Sequence, residues 1–181
     1  ANPWTLFFIL SIAFIEKDSS MNNITMKFGG TSVGSAEAIE NVVAIVKRSC
    51  DGGTPVAVVV SAMSGVTDML LRAVKAAVNS DRWEYMSLAT NIRDKHEEAI
   101  TQLLEPGERR DAILHTVTTM THQLTELCEA INILGEATPR ISDAIVSFGE
   151  RLSCRLVAAV LKDRGLDAQA LDASAFIVTN G

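Results

Sequence analysis

No basic run, no CxxC spacing and no apolar stretch long enough to cross a bilayer occur in this 181-residue sequence. Each absence removes a class of function. Lysine and arginine number 16 against 22 acidic residues, a formal net charge of −6, so the electrostatic footprint that a phosphate backbone requires is missing and no nucleic-acid partner is expected. The three cysteines, Cys50, Cys128 and Cys154, lie far apart in sequence. That spacing argues against a disulfide framework or a structural zinc site, and for a reducing compartment such as the cytoplasm. The three histidines show no metal-ligand spacing; His96 and His122 fall in helical stretches and read as structural or solvated, so no protein-held metal is expected. The apolar run "WTLFFILSIAFI", residues 4–15, is only 12 residues long, too short for a membrane span. It also lacks the basic flank and the small-x-small site of a signal peptide. Because its pattern breaks off before Met21, residues 1–20 are expected to be an upstream segment outside the domain, with Met21 as the natural start. A membrane or signal segment, or an extra element of the fold, is the alternative.

What is present is the make-up of one globular domain, with 48% apolar residues. Ile24 to Phe28 reads as a short strand. Ile39, Val42, Val43 and Val46 then fall at i, i+3, i+4 and i+7, an amphipathic helix closed by Gly52 and Gly53. "VAVVV", Val56 to Val60, has no alternation and is mostly β-branched, the mark of a strand buried on both faces in a parallel sheet. A second loop and a helix with Leu70, Leu71, Val74 and Val78 on one face follow. The βαβα order predicts an α/β fold with a mostly parallel sheet.

Residues 82–134 are helical in pattern throughout, broken once at Pro106-Gly107. The second half carries Ile113, Val117, Met120, Leu124, Leu127, Ile131 and Leu134 in heptad spacing, which suits an antiparallel hairpin with the preceding helix. The four threonines of "TVTTMT" are mediocre helix formers, so packing must hold this helix. A last helix is expected from about Ser142 to Arg164, capped by Gly165, with strands in "LDAQAL" and "AFIV". The fold looks unfinished at Gly181.

Three places could carry chemistry. "KFGGTSVGS", residues 27–35, sets Lys27 at a strand end and follows it with Gly29, Gly30, Thr31 and Ser32. Glycines let the backbone approach a ligand, and N–H groups with hydroxyls form a nest for anions. Ligands of open α/β sheets bind just beyond the carboxyl ends of the strands, where Lys27 would sit. The order is not that of a Walker loop, since the lysine precedes the glycines. The second loop places Ser61, Ser64, Gly65 and Thr67 between a buried strand and a helix N-terminus, which favours a carboxylate or phosphate. Thr67 reads equally as a plain N-cap. Glu150, in "SFGERLS", enters a helix that is apolar nearly all round, so its carboxylate is expected to be buried and paired or holding a cationic ligand group. Neither Arg151 nor Arg155 has the spacing to pair with it.

Together and in this order, "KFGGTSVGS", "VVVSAMSGVTDMLL" and "SFGERLS" resemble the aspartate kinases of the amino acid kinase family, and "LDASAFIVTNG" is similar to the segment that follows in those enzymes. The resemblance runs from Met21 to Gly181. It implies a three-layer α/β/α sandwich with a helical-hairpin insertion, and a cytoplasmic enzyme that uses ATP, with Mg²⁺ as the nucleotide complex. The implied reaction phosphorylates the side-chain carboxylate of L-aspartate, the entry to lysine, threonine and methionine synthesis. By the same resemblance Lys27 contacts the transferring phosphate above Gly29, Gly30, Thr31 and Ser32. Thr67 and Glu150 hold the aspartate, the glutamate facing its ammonium, and Ser61 lies near the reacting carboxylate. The resemblance further implies that residues 21–181 are the N-terminal portion of the kinase domain, inactive alone, and that the full-length protein is a homo-oligomer. A glutamate or acetylglutamate kinase, or a non-catalytic binding domain derived from the family, are the competing readings.

Overall fold

The structure is a computed structural model that describes residues 11–15, 24–50 and 56–172. Its parallel core begins with β2 (Ile24–Phe28) and β3 (Val56–Val60), paired in register so that Lys27 lies opposite Val59 and Phe28 opposite Val60. Between them the chain makes a 3-10 turn, Gly30–Val33, and the helix α1 (Ala36–Cys50). The i, i+3, i+4, i+7 set of α1 is buried as a unit: Ile39, Val42, Val43 and Val46 all face the core. Ser35 caps the helix, its hydroxyl accepting from the Ala38 N–H at 3.2 Å. Val56, Val58, Val59 and Val60 are buried, as an unalternating β-branched strand requires. The expected closure of α1 at Gly52-Gly53 lies outside the described residues.

The helix α2 (Val66–Val78) follows β3 directly and buries Val66, Leu70, Ala73 and Val74. Leu71, expected on the same face, is instead half exposed: it sits one residue past Leu70, about 100° around the helix. The hairpin is as expected, α3 (Arg82–Leu103) packing on α4 (Glu108–Leu134) with the break at Pro106 and Gly107. The α4 seam buries Ile113, Val117, Met120, Leu124 and Ile131. It then drifts off the strict heptad, because 3.6 residues per turn do not keep a seven-residue repeat in line. Cys128 is buried beside Leu127, and Leu134 is exposed. The threonine-rich stretch is helical with its hydroxyls turned back on the backbone: Thr116, Thr118 and Thr121 donate to the carbonyls of Ala112, Leu114 and Val117.

The last helix, α5 (Pro139–Asp163), starts earlier than its apolar pattern suggests, since Thr138 is the cap and accepts from the Ile141 N–H, with Pro139 in the first turn. It ends as expected, with Gly165 just beyond in the left-handed region at φ 88°. Arg164 ties three helices together, donating to the Glu40 carboxylate of α1 and, at 3.1 Å, to the Leu103 carbonyl at the end of α3. The strand β4 (Ala168–Asp172) follows, starting in the "LDAQAL" stretch and running one residue beyond it; "AFIV" lies outside the described residues.

One strand was not expected in the domain. β1 (Ser11–Ile15), from the segment set apart by sequence pattern, lies between β3 and β4 and runs antiparallel to both, giving the order β2-β3-β1-β4. The sheet is therefore mixed: β2, β3 and β4 share one direction and β1 opposes it. The physical reason is on both sides of the slot, where β3 and β4 would otherwise present unpaired N–H and C=O groups. The α/β class holds. α5 packs on β1, β3 and β4, and α1 on β3.

Candidate active site

The carboxyl ends of β2 and β3 lie side by side, and the loops that leave them are bonded to one another. Ser61 donates its N–H to the Phe28 carbonyl at 3.0 Å, carrying the parallel ladder one residue past β3. Gly30 comes so near the second loop that a Cβ there would lie 2.9 Å from the Ala62 carbonyl oxygen. Lys27, one residue before the end of β2, is exposed beside this junction. The 3-10 turn spends two of its amides internally, Ser32 donating to the Gly29 carbonyl at 2.9 Å and Gly34 to that of Thr31 at 3.5 Å. Of the hydroxyl pair in the turn, Thr31 is exposed and Ser32 half-buried.

The second loop ends at Gly65, whose φ of 79° lets the chain turn into α2. Gly65, not Thr67, therefore holds the N-cap position. Thr67 lies within the first turn of α2, half-buried, which frees its side chain from the capping role open to it in sequence. Ser61 is also half-buried, at the mouth of the same loop.

Glu150 approaches from below. It is 4% exposed, in the middle of α5, with Cys154, Val157 and Leu161 buried along the face it starts. Burial pushes its carboxyl above the ordinary carboxylate range; hydrogen bonds from its own backbone N–H and from that of Ala62 oppose the rise. The dull explanation, an ion pair with a neighbouring arginine, does not hold. Arg151 bonds to Asp172 of β4 at 2.9 Å and stacks over Phe148, and Arg155 donates to the Arg151 carbonyl. Among the described residues no cation pairs with Glu150. A buried carboxylate with no cation beside it among the described residues is suited to receive an ammonium group.

Two residues of the site carry a weaker sequence signal than those above. Gly149 packs so tightly that a Cβ would lie 2.7 Å from the Ala62 Cβ and 3.3 Å from Leu70. Ala62 itself is the residue whose backbone opposes the rise of the Glu150 carboxyl. A glycine inside an apolar helix, next to a glutamate, is the signal that could have pointed to a close approach there. His96 and His122 lie away from this cluster, on α3 and α4.

Comparison with proteins of known family gives the site its context. Residues 24–181 match the amino acid kinase family. An aspartokinase of Schizosaccharomyces pombe is 35% identical over 169 residues, covering 90% of this chain and 32% of the relative. A chloroplastic bifunctional aspartokinase/homoserine dehydrogenase of Arabidopsis thaliana is 37% identical over 152 residues, covering 84% of the chain and 16% of the relative. The chain is similar in fold to the crystal structure of E. coli aspartokinase III in complex with aspartate and ADP, with a TM-score of 0.66 and 26% identity, covering 78% of this chain and 29% of that one. The chain thus spans about a third or less of the length of the relatives it matches. With a match from the first residue of β2 to Gly181, the chain belongs to the amino acid kinase family.

Proposed function

We propose that this chain supplies the lysine-glycine loop and the amino-acid pocket of an aspartate kinase, which transfers the γ-phosphoryl group of ATP to the side-chain carboxylate of L-aspartate. The observation that carries the reading is Glu150, a buried carboxylate with no cationic partner among the described residues, next to the Gly149 contact with the loop that also touches the Lys27 loop. Similarity to a structure holding aspartate and ADP supports the same pair of ligands here. In the proposed arrangement Glu150 takes the substrate ammonium, Thr67 its polar groups, and Ser61 lies near the reacting carboxylate. Lys27 and residues 29–32 take the phosphates, with Mg²⁺ carried in by the nucleotide.

The chemistry asks little covalent work of the protein. A carboxylate oxygen of aspartate attacks the γ-phosphorus, the bond to the β-phosphate oxygen breaks, and ADP leaves with that electron pair. No proton need move, so catalysis is alignment plus charge neutralisation. Lys27 is the cation available for that purpose at the strand ends. The product, an acyl phosphate, would enter lysine, threonine and methionine synthesis. A cytoplasmic, homo-oligomeric whole protein completes the proposal. This chain alone, at a third of a relative's length, is not expected to turn over ATP.

The test is an NMR titration of the chain with L-aspartate. Shifts confined to residues 61–67 and 149–150 are expected, with Glu150→Gln weakening binding roughly 10- to 100-fold, the scale of a hydrogen bond to a charged group. Shifts with glutamate or acetylglutamate but not aspartate would transfer the reading to a sister kinase. Equal binding by Glu150→Gln would remove Glu150 from the pocket.

A further inference from the structure

Residues 61–65 touch two stretches of chain, the first loop and α5. Toward the first loop, Ser61 donates its N–H to Phe28, and the Ser64 hydroxyl donates to the Gly30 carbonyl at 3.0 Å. Toward α5, Ala62 packs against Gly149, next to Glu150. The fit is close on both sides. A Cβ on Gly34 would lie 2.6 Å from the Ser64 oxygen, and one on Gly149 2.7 Å from the Ala62 Cβ. Toward the first loop, the Ser61 bond is a backbone contact fixed by the fold. Ser64, by contrast, is an exposed residue whose hydroxyl alone reaches across.

We propose that Ser64 is a positioning residue: its hydroxyl fastens the loop of residues 29–34 to the segment that packs on Gly149 of α5, and so sets the height of that loop relative to Lys27 and the amino-acid pocket. The purpose of the fastening rests on the proposed kinase function; the fastening itself does not. Because Ser64 is exposed, removing its hydroxyl opens no cavity and strands no buried donor, and the Gly30 carbonyl turns to water. Its loss should therefore act on the loop and leave the core alone. Gly34→Ala attacks the same contact from the opposite side, since the added methyl needs the space the Ser64 oxygen fills.

The experiment is amide hydrogen exchange on the full chain, for wild type, Ser64→Ala and Gly34→Ala. Both variants should speed exchange of residues 29–35 roughly three- to tenfold, the effect of losing one hydrogen bond. Exchange in the α3–α4 hairpin should stay at the wild-type rate. Unchanged exchange at residues 29–35, or equal acceleration everywhere, overturns the proposal. A parallel titration with tripolyphosphate and Mg²⁺ separates the two readings. Weaker binding by Ser64→Ala, with aspartate affinity intact, supports a positioning role for phosphate. Faster loop exchange with undiminished tripolyphosphate binding keeps the fastening and removes its assigned purpose.

Discussion

At Glu150 and His96 the same physical cause, burial, acts on groups of opposite charge type. His96 is fully buried on α3; its Nδ1 lies 2.7 Å from the Ile92 carbonyl, and its Nε2 has no hydrogen-bond partner among the described residues. Loss of solvent lowers its pKa to about 4 from 6.5, so it stays neutral in the folded chain. As pH falls below 6.5 the unfolded chain takes up a proton that the folded chain refuses until about 4. Stability from this group is thus fully present above pH 6.5 and is lost between there and about 4, a loss of about 3 kcal/mol by linkage. Urea unfolding across pH 4–7 should show that slope, and His96→Leu should flatten it. Glu150 has the opposite sign. Its raised pKa favours the protonated folded state, so its contribution is greatest below the ordinary carboxylate value and fades as pH rises, until an ammonium ligand restores it. Lys27 carries a prediction of a different kind. In a whole kinase that contains this segment, Lys27→Ala should lower kcat by roughly 10²–10³-fold, as losing one preorganised donor does. Its thermal midpoint should barely move, because an exposed charge at a strand end packs against little. Near-normal turnover would return Lys27 to a solvated surface role.

Among the elements, the join of α5 to the β3–α2 loop is a close-packed contact of the site. Ala62, Leu70 and Val66 all stand within 3.4 Å of where a Gly149 side chain would begin. Gly149→Ala should therefore overpack the join and cost about 1–3 kcal/mol in denaturant unfolding, despite the better helix propensity of alanine. A stabilised variant would mean that α5 can slide away from the loop. Contacts of this kind mark where sequence reasoning stops. β2, β3, α1 and the hairpin were legible because each has a period or a breaker: Ile39 to Val46, the valines of β3, Pro106 with Gly107. Glu150 was legible as a buried charge because its helix is apolar all round. That Ala62 would be the residue to meet it was not, since the meeting joins positions 88 apart by a backbone group that has no side-chain signature. The start of α5 was misjudged for a local reason, Thr138 and Pro139 setting the cap before the apolar pattern begins.

For the molecule as a whole, the α/β plan follows from strand, loop and helix order, but the place of β1 does not. A short apolar run carries no mark of its partners, and strand pairing is decided by which sheet positions are left open. The family match begins at residue 24, so β1 adds to the sheet without belonging to the matched region. Residues 21–181 as the kinase portion therefore remains our proposal for the domain. A chain started at Met21 should keep its helical circular dichroism while its thermal midpoint drops by about 5 °C or more, as loss of a few kcal/mol implies at this size. An unchanged midpoint would make β1 irrelevant to stability, and a collapse of the helical signal would make residues 1–20 indispensable.

The position of β1 also bears on how the chain reaches its native state. Ser11 pairs with Asp172, so the first described strand must wait for the last before its second ladder can close. Helices α3 and α4, by contrast, meet through a four-residue connection and can form early. Folding should proceed from the hairpin outward, with sheet completion as the slow, late step, because distant segments must lose chain entropy before any pairing rewards them. During synthesis the outer edge of β1 stays open until Asp172 has cleared the ribosome, and that interval is when the nascent chain is most exposed to pairing with another copy of itself.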